Sequence, residues 1–113
     1  MSKSYKDITE SLVTNIKTLR PEIAETMKGF SMMAKAATAP GVLDPKTKEL
    51  IALAIGVSGR CDGCIGFHSK TLVELGATRE EVEETLAVAI YMGGGPALMY
   101  AADALQAFDE FTE

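Results

Sequence analysis

Apolar residues recur at helical spacing along the chain, and no stretch alternates polar and apolar positions over the length of a strand. The pattern predicts an all-α chain. Ile8, Leu12, Ile16 and Leu19 share one face of a first helix, running from near Ser4 to Arg20 with Pro21 after it. Pro21 suits the first turn of a second helix, which carries Ile23, Met27 and Phe30 and fades before the loop signal Ala39, Pro40, Gly41. Asp44 and Pro45 make an N-cap and first-turn pair for a third helix, which reaches about Val57 before Ser58, Gly59 and Arg60 break it. A fourth helix runs from near Cys61 to Leu75, where Gly76 can take the left-handed C-terminal conformation. Thr78 and Glu81 have capping-box spacing for a fifth, lasting to about Met92 and stopped by Gly93, Gly94 and Gly95. Pro96 opens a sixth that carries Leu105 and Phe108 toward the C-terminus. The expectation is a compact all-α bundle of about six helices, with residues 1–113 forming one domain.

Two segments depart from simple amphipathicity. Leu50 to Val57 is apolar on every side and Leu86 to Ala102 nearly so, which predicts helices buried all round. A chain of 113 residues can surround one central helix, but surrounding two is harder, so apolar surface is left for other subunits. A homo-oligomer is expected. Neither segment offers the roughly 20 apolar residues that span a bilayer. The polar, mixed-charge stretch from Met1 to Glu10 lacks the apolar core of a secretory signal. A soluble, cytoplasmic protein without a membrane partner is therefore expected. The net charge of −5 argues against a nucleic-acid partner, because phosphate binding draws on clustered Lys and Arg.

The two cysteines, Cys61 and Cys64, stand three residues apart, so a disulfide between them would close a tiny loop and add little global stability. In a reducing cytosol such a pair reads as redox-active or metal-binding. On a helix, positions 61, 64 and 68 fall along one stripe, which places His68 with both sulfurs. Helix geometry sets the two cysteine alpha carbons about 5 Å apart, within the range a disulfide tolerates. A thiol in the first turn sees free amide N–H groups and the positive end of the helix dipole, which favour the thiolate. His68, one turn beyond Cys64, can accept its proton. If the third and fourth helices form an antiparallel hairpin about Ser58 to Arg60, reflection through the turn brings Glu49 beside His68. The expected result is a Glu, His, Cys proton relay.

Glu49, eleven intervening residues, Cys61, two residues, Cys64, three residues, His68 resembles the signature of the alkylhydroperoxidase D-like branch of the carboxymuconolactone decarboxylase family. The resemblance extends over most of residues 22 to 105, including the turn Gly76, Ala77, Thr78 and the glycines at 93 to 95. It implies an all-α fold, assembly as homotrimers or homohexamers, and peroxide reduction by a redox-active disulfide without a cofactor. Cys64 would be the peroxidatic thiol, Cys61 the resolving thiol, and Glu49 with His68 the relay. The partners would be a small-molecule peroxide and an external dithiol or thiol protein. In the best-studied members a further histidine stands immediately before the second cysteine, where this chain has Gly63. Decarboxylases of the wider family typically lack the cysteine pair, which weakens that reading.

Other roles compete for the same residues. The helix terminus favours Cys61 as the more acidic thiol, whereas nearness to His68 favours Cys64 as the nucleophile. Glu49 could instead pair with Lys46 on the helix surface. Zinc accepts Cys61, Cys64 and His68 as ligands, but with no second CxxC and no other histidine a closed site would need an unusual set, so no metal is expected. A non-enzymatic redox sensor or binding module could use the same disulfide. Met27, Met32, Met33, Met92 and Met99 read as core or interface filler, and Tyr91 and Tyr100 as interface residues.

Overall fold

The computed structural model describes residues 3–113; Met1 and Ser2, the start of the polar N-terminal stretch, lie outside it. The elements are α1 (Tyr5–Leu19), a 3-10 turn (Arg20–Ile23), α2 (Ala24–Thr38), α3 (Pro45–Ser58), α4 (Asp62–Glu74), α5 (Arg79–Gly93) and α6 (Gly95–Thr112). Among the described residues no strand occurs and no helix is long and apolar enough to cross a membrane. Pro21 does not start a regular α-helix as expected. It lies in the 3-10 turn, and α2 begins only at Ala24.

Local chemistry fixes most boundaries. Ser4 caps α1 by accepting from the amide of Asp7, Asp44 caps α3 through Thr47, and Thr78 and Glu81 complete a reciprocal capping box on α5. Lys46 on α3 reaches Glu81 at 2.8 Å, and this pairing holds the Glu81 carboxyl below the usual carboxylate range. Gly76 and Gly94 take positive φ where α4 and α5 end.

The core joins Leu53 and Val57 of α3, Ile65 and Leu72 of α4, Val82 and Leu86 of α5, and Ala101, Ala104 and Phe108 of α6. Full burial of an aliphatic side chain such as Leu53 contributes about 2 kcal/mol relative to exposure. α4 packs against α1, α3 and α6 and so occupies the middle of the assembly.

Two expectations about burial need correction. α3 is not covered all round: Leu53 and Val57 are inaccessible, but Ile51 and Ile55 stand exposed on its outer face. Val88, Tyr91, Met92, Leu98 and Met99 are likewise exposed across α5 and α6. Apolar composition marked both segments for burial, but one chain supplies only one wall for each. On α1, Leu19 is exposed and the fully covered residues are Tyr5 and Thr9. Thr9 is buried without an orphaned hydroxyl, which donates to the carbonyls of Tyr5 and Lys6 at 2.9 and 3.1 Å.

Thr9 also explains the approach of α1 to α4. A β-carbon at Gly66 would lie 2.6 Å from Thr9 Cγ2 and 3.5 Å from the Tyr5 ring. Alanine ordinarily gains about 1 kcal/mol over glycine inside a helix, but this overlap outweighs it. Gly66→Ala is expected to lower stability by about 1–2 kcal/mol, read from the denaturant midpoint. Adding Thr9→Ser, which deletes the methyl and keeps the hydroxyl, should recover most of the loss. A raised midpoint for Gly66→Ala alone would contradict the packing.

Candidate functional site

α3 and α4 form the antiparallel hairpin that the sequence predicts, and its turn places the reactive groups. Gly59 N donates to Ile55 O at 2.7 Å, Arg60 N to Val57 O at 3.1 Å and Cys61 N to Gly56 O at 3.0 Å. Arg60 takes a φ of 56°, the left-handed region, which costs a side-chain-bearing residue about 1 kcal/mol. That residue turns the chain so that Cys61 becomes the N-cap of α4 rather than a first-turn residue.

Cys61 and Cys64 are joined as a disulfide, with alpha carbons 5.2 Å apart. The Cys61 sulfur accepts from the Cys64 amide at 3.1 Å, the cap bond that serine or aspartate makes elsewhere. Once reduced, Cys61 can hold a thiolate against this N–H and the helix dipole. A β-carbon at Gly56 would lie 3.0 Å from Cys64 Cβ, so the glycine lets α3 approach the second cysteine more closely than a larger residue would.

Glu49 and His68 meet across the hairpin, with Glu49 Oε2 2.6 Å from His68 Nδ1. Glu49 is buried, and Lys46, its alternative partner in the sequence, pairs with Glu81 instead. A carboxylate can only accept, so Nδ1 carries the hydrogen and Nε2 is the free ring nitrogen. His68 lines an open groove of about 370 Å³ with Cys61, Cys64, Ala52, Ile55, Gly56 and Gly59. A larger groove, about 470 Å³, follows Lys17, Arg20, Pro21, Ala24, Met27 and Lys28. It contains no cysteine, histidine or carboxylate, so side-chain chemistry, not size, selects the smaller one. Among the described residues no cluster of three or more His, Cys, Asp or Glu has the geometry to hold a metal ion.

A model of the carboxymuconolactone decarboxylase family matches residues 21–107. The chain belongs to this family. A family protein from Legionella pneumophila, known from its crystal structure, superposes with a TM-score of 0.96 at 58% identity, covering 99% of this chain and 100% of that one. A family protein from Thermotoga maritima, for which a part in antioxidative response has been suggested, superposes with a TM-score of 0.70 at 36% identity, over 75% of this chain and 88% of that one. The alkyl hydroperoxide reductase AhpD of Mycobacteroides abscessus is 42% identical over 55 residues, which is 49% of this chain and 31% of its own length.

Within this family the glycine at position 63 has a local cause. A β-carbon there would stand 2.7 Å from Leu12 Cδ1, so α1 occupies the space above the CxxC turn. Sequence reasoning passed over that contact, and with it Asp62, whose carboxylate accepts from Tyr5 OH at 3.2 Å and Lys3 Nζ at 3.1 Å. The available signal was weak: an acidic residue inside CxxC and a tyrosine in the first turn of α1, 57 residues away. Tyr91 is exposed, whereas Tyr100 packs on the core beneath Lys3, whose Nζ lies 5.2 Å from its ring centroid.

Gly63→His is therefore expected to destabilise the protein by about 1–3 kcal/mol, seen as a lower urea midpoint, because the imidazole and Leu12 compete for one space. Combining it with Leu12→Ala should cost less than the two single changes added together. Strict additivity would show that Leu12 does not fill that space.

Proposed function

We propose that the protein is a thiol-dependent peroxidase, or a related disulfide reductase, working through Cys61 and Cys64 with Glu49 and His68 as its proton relay. The observation that carries this reading is the 2.6 Å contact from buried Glu49 to His68, whose ring lines one groove with both cysteines. The named activity of the Mycobacteroides relative and the antioxidative role suggested for the Thermotoga protein point the same way.

The cycle begins with the reduced pair. His68 Nε2 takes the Cys64 proton, and Glu49 stabilises the charge that develops on the ring. The thiolate attacks the outer oxygen of the peroxide, the O–O bond breaks, and the departing alkoxide takes the proton from His68 to leave as an alcohol. Cys64 is now a sulfenic acid. Cys61 attacks its sulfur, the disulfide forms and water leaves. An external dithiol reduces the disulfide by exchange and is itself oxidised. In the disulfide form the sulfurs carry no proton, so the relay acts only after reduction. A cytoplasmic setting would supply the dithiol.

Assembly belongs to the same proposal. α2 buries none of its residues, and Phe30, Met32 and Met33 are exposed along it. With the open faces of α3, α5 and α6, that surface supports a homotrimer or homohexamer. Light scattering at micromolar concentration should return three or six chains, and a monomer would refute the assembly.

The catalytic reading is tested by titrating free thiols before and after one equivalent of peroxide, then following peroxide consumption with a dithiol supplied. Many equivalents per chain are expected; one equivalent followed by arrest identifies a sensor instead. Cys61→Ser should react once and accumulate a trappable sulfenic acid on Cys64, while Cys64→Ser should be nearly inert. The adduct on Cys61, with Cys64→Ser still reactive, would reverse the assignment. His68→Ala should slow peroxide attack about a hundredfold and Glu49→Gln by less, with helicity intact.

A further inference from the structure

Asp62, the first residue of α4, stands between the two cysteines in sequence. A carboxylate there suits the helix dipole but opposes a thiolate at the same terminus, because like charges repel at close range. How much of that opposition reaches the sulfurs depends on what else holds the charge. Lys3 Nζ lies 3.1 Å and Tyr5 OH 3.2 Å from the same oxygen, Oδ1.

Those two donors are themselves anchored. The Tyr5 ring is inaccessible to solvent, and its amide donates to both oxygens of Glu110 at 3.0 and 3.1 Å. Gln106 Nε2 donates to the Lys3 carbonyl at 2.7 Å, and Lys3 Nζ also reaches Asp103 at 3.0 Å. The segment carrying Lys3 and Tyr5 is thus fixed on α6 and presents a cation and a hydroxyl to the CxxC turn.

We propose that Asp62 tunes the Cys61–Cys64 couple, and that Tyr5 and Lys3 are positioning residues that set how much of its charge the sulfurs feel. The proposal rests on the pair being a working redox couple, as in the function proposed above, but not on peroxide being its oxidant. Reduction adds two electrons and two protons to the disulfide, the donor being a dithiol that becomes a disulfide. At a pH above the acidic thiol's ionisation one of those protons is lost, and the remaining thiolate is what Asp62 disfavours. The other groups facing this charge are Asp103, which shares Lys3, and Asp7, which lines a groove of about 460 Å³ with Asp62 and Gly63. Glu110 lies behind the Tyr5 amide, and Glu49 with His68 lies across the α3–α4 hairpin. Burial first, and then the charges of Asp103 and Asp62, push the Tyr5 hydroxyl above its ordinary range, so it remains a donor in alkaline solution.

The test is equilibration of the full chain with a dithiothreitol redox buffer at pH 9, reading the fraction of disulfide by thiol alkylation and mass. Asp62→Asn should favour the reduced form about fivefold, a rise of about 20 mV in potential. It should also move the pH midpoint of iodoacetamide alkylation downward. Tyr5→Phe should act in the opposite sense by about twofold, and this effect should vanish in an Asp62→Asn background, where no charge remains to be held. A purely structural role for Tyr5 predicts the same shift in both backgrounds, and that result would overturn the proposal. So would an equilibrium unchanged by Asp62→Asn. If Tyr5→Phe does not fold, Lys3→Gln, an exposed change, carries the same prediction of sign, and its effect should shrink in the Asp62→Asn background to what the lysine's own charge exerts on the thiolate; an undiminished shift there would overturn the proposal. No peroxide enters the measurement, so the expected shifts in a protein without peroxide turnover would support this inference and sink only the peroxidase reading.

Discussion

At Gly56, Gly63 and Gly66 the helices beside α4 approach to distances that a β-carbon would obstruct, and the geometry of the cysteine pair follows from those contacts. Gly56 lets α3 rest against Cys64, and the same closeness lets Glu49, two turns earlier on α3, span the hairpin to His68. Gly63 and Gly66 let α1 settle on the opposite side through Leu12, Thr9 and Tyr5. Backbone at near-contact distance leaves little room for α4 to rotate or slide. Its register is held by packing from both flanks, so the cap at Cys61 and the ring at His68 stay in fixed relation.

How far the arrangement could be read in the sequence depended on how the parts are connected. Glu49 was legible because a tight turn joins α3 to α4, and reflection through a short connection narrows its partner to position 68 or 69, give or take a helical turn. The caps at Asp44, Thr78 and Gly76 were legible for the same reason: each is decided within a few residues. Tyr5 and Asp62 were not, since their contact joins positions 57 residues apart and neither residue type announces burial. Thr9 was hidden by its polarity, although its hydroxyl is satisfied within its own helix. The outer face of α3 misled in the other direction. Ile51 and Ile55 belong to an apolar run, and hydropathy indicates that a surface avoids water without naming what covers it.

The two sulfurs sit in different electrostatic surroundings although three residues separate them. Cys61, as N-cap, takes an amide hydrogen from Cys64, while Cys64 stands one helical turn from the ring that Glu49 holds. Thiol–disulfide exchange asks for unlike partners: a good attacking thiolate at one sulfur and a stabilised leaving thiolate at the other. An N-cap position serves a leaving thiolate without requiring a base, and a neighbouring base serves an attacking thiol without requiring a helix end. The asymmetry therefore has two sources, the helix start at Cys61 and the Glu49-held ring one turn beyond Cys64.

The order in which these walls can form has its own consequence. The α3–α4 hairpin is made from residues near in sequence, so loop closure costs it little and it can assemble early. The cover from α1 must await closure of the chain ends, because Lys3 meets Asp103 across 100 residues and Tyr5 meets Glu110 across 105. A chain with the hairpin formed and α1 undocked would already hold Glu49 against His68, yet its CxxC turn would stand open on the α1 side. Amide exchange then has a natural hierarchy, with α1 opening at lower free energy than the hairpin it covers. By loop length, then, the cover over the CxxC turn falls after the hairpin in the expected order of assembly.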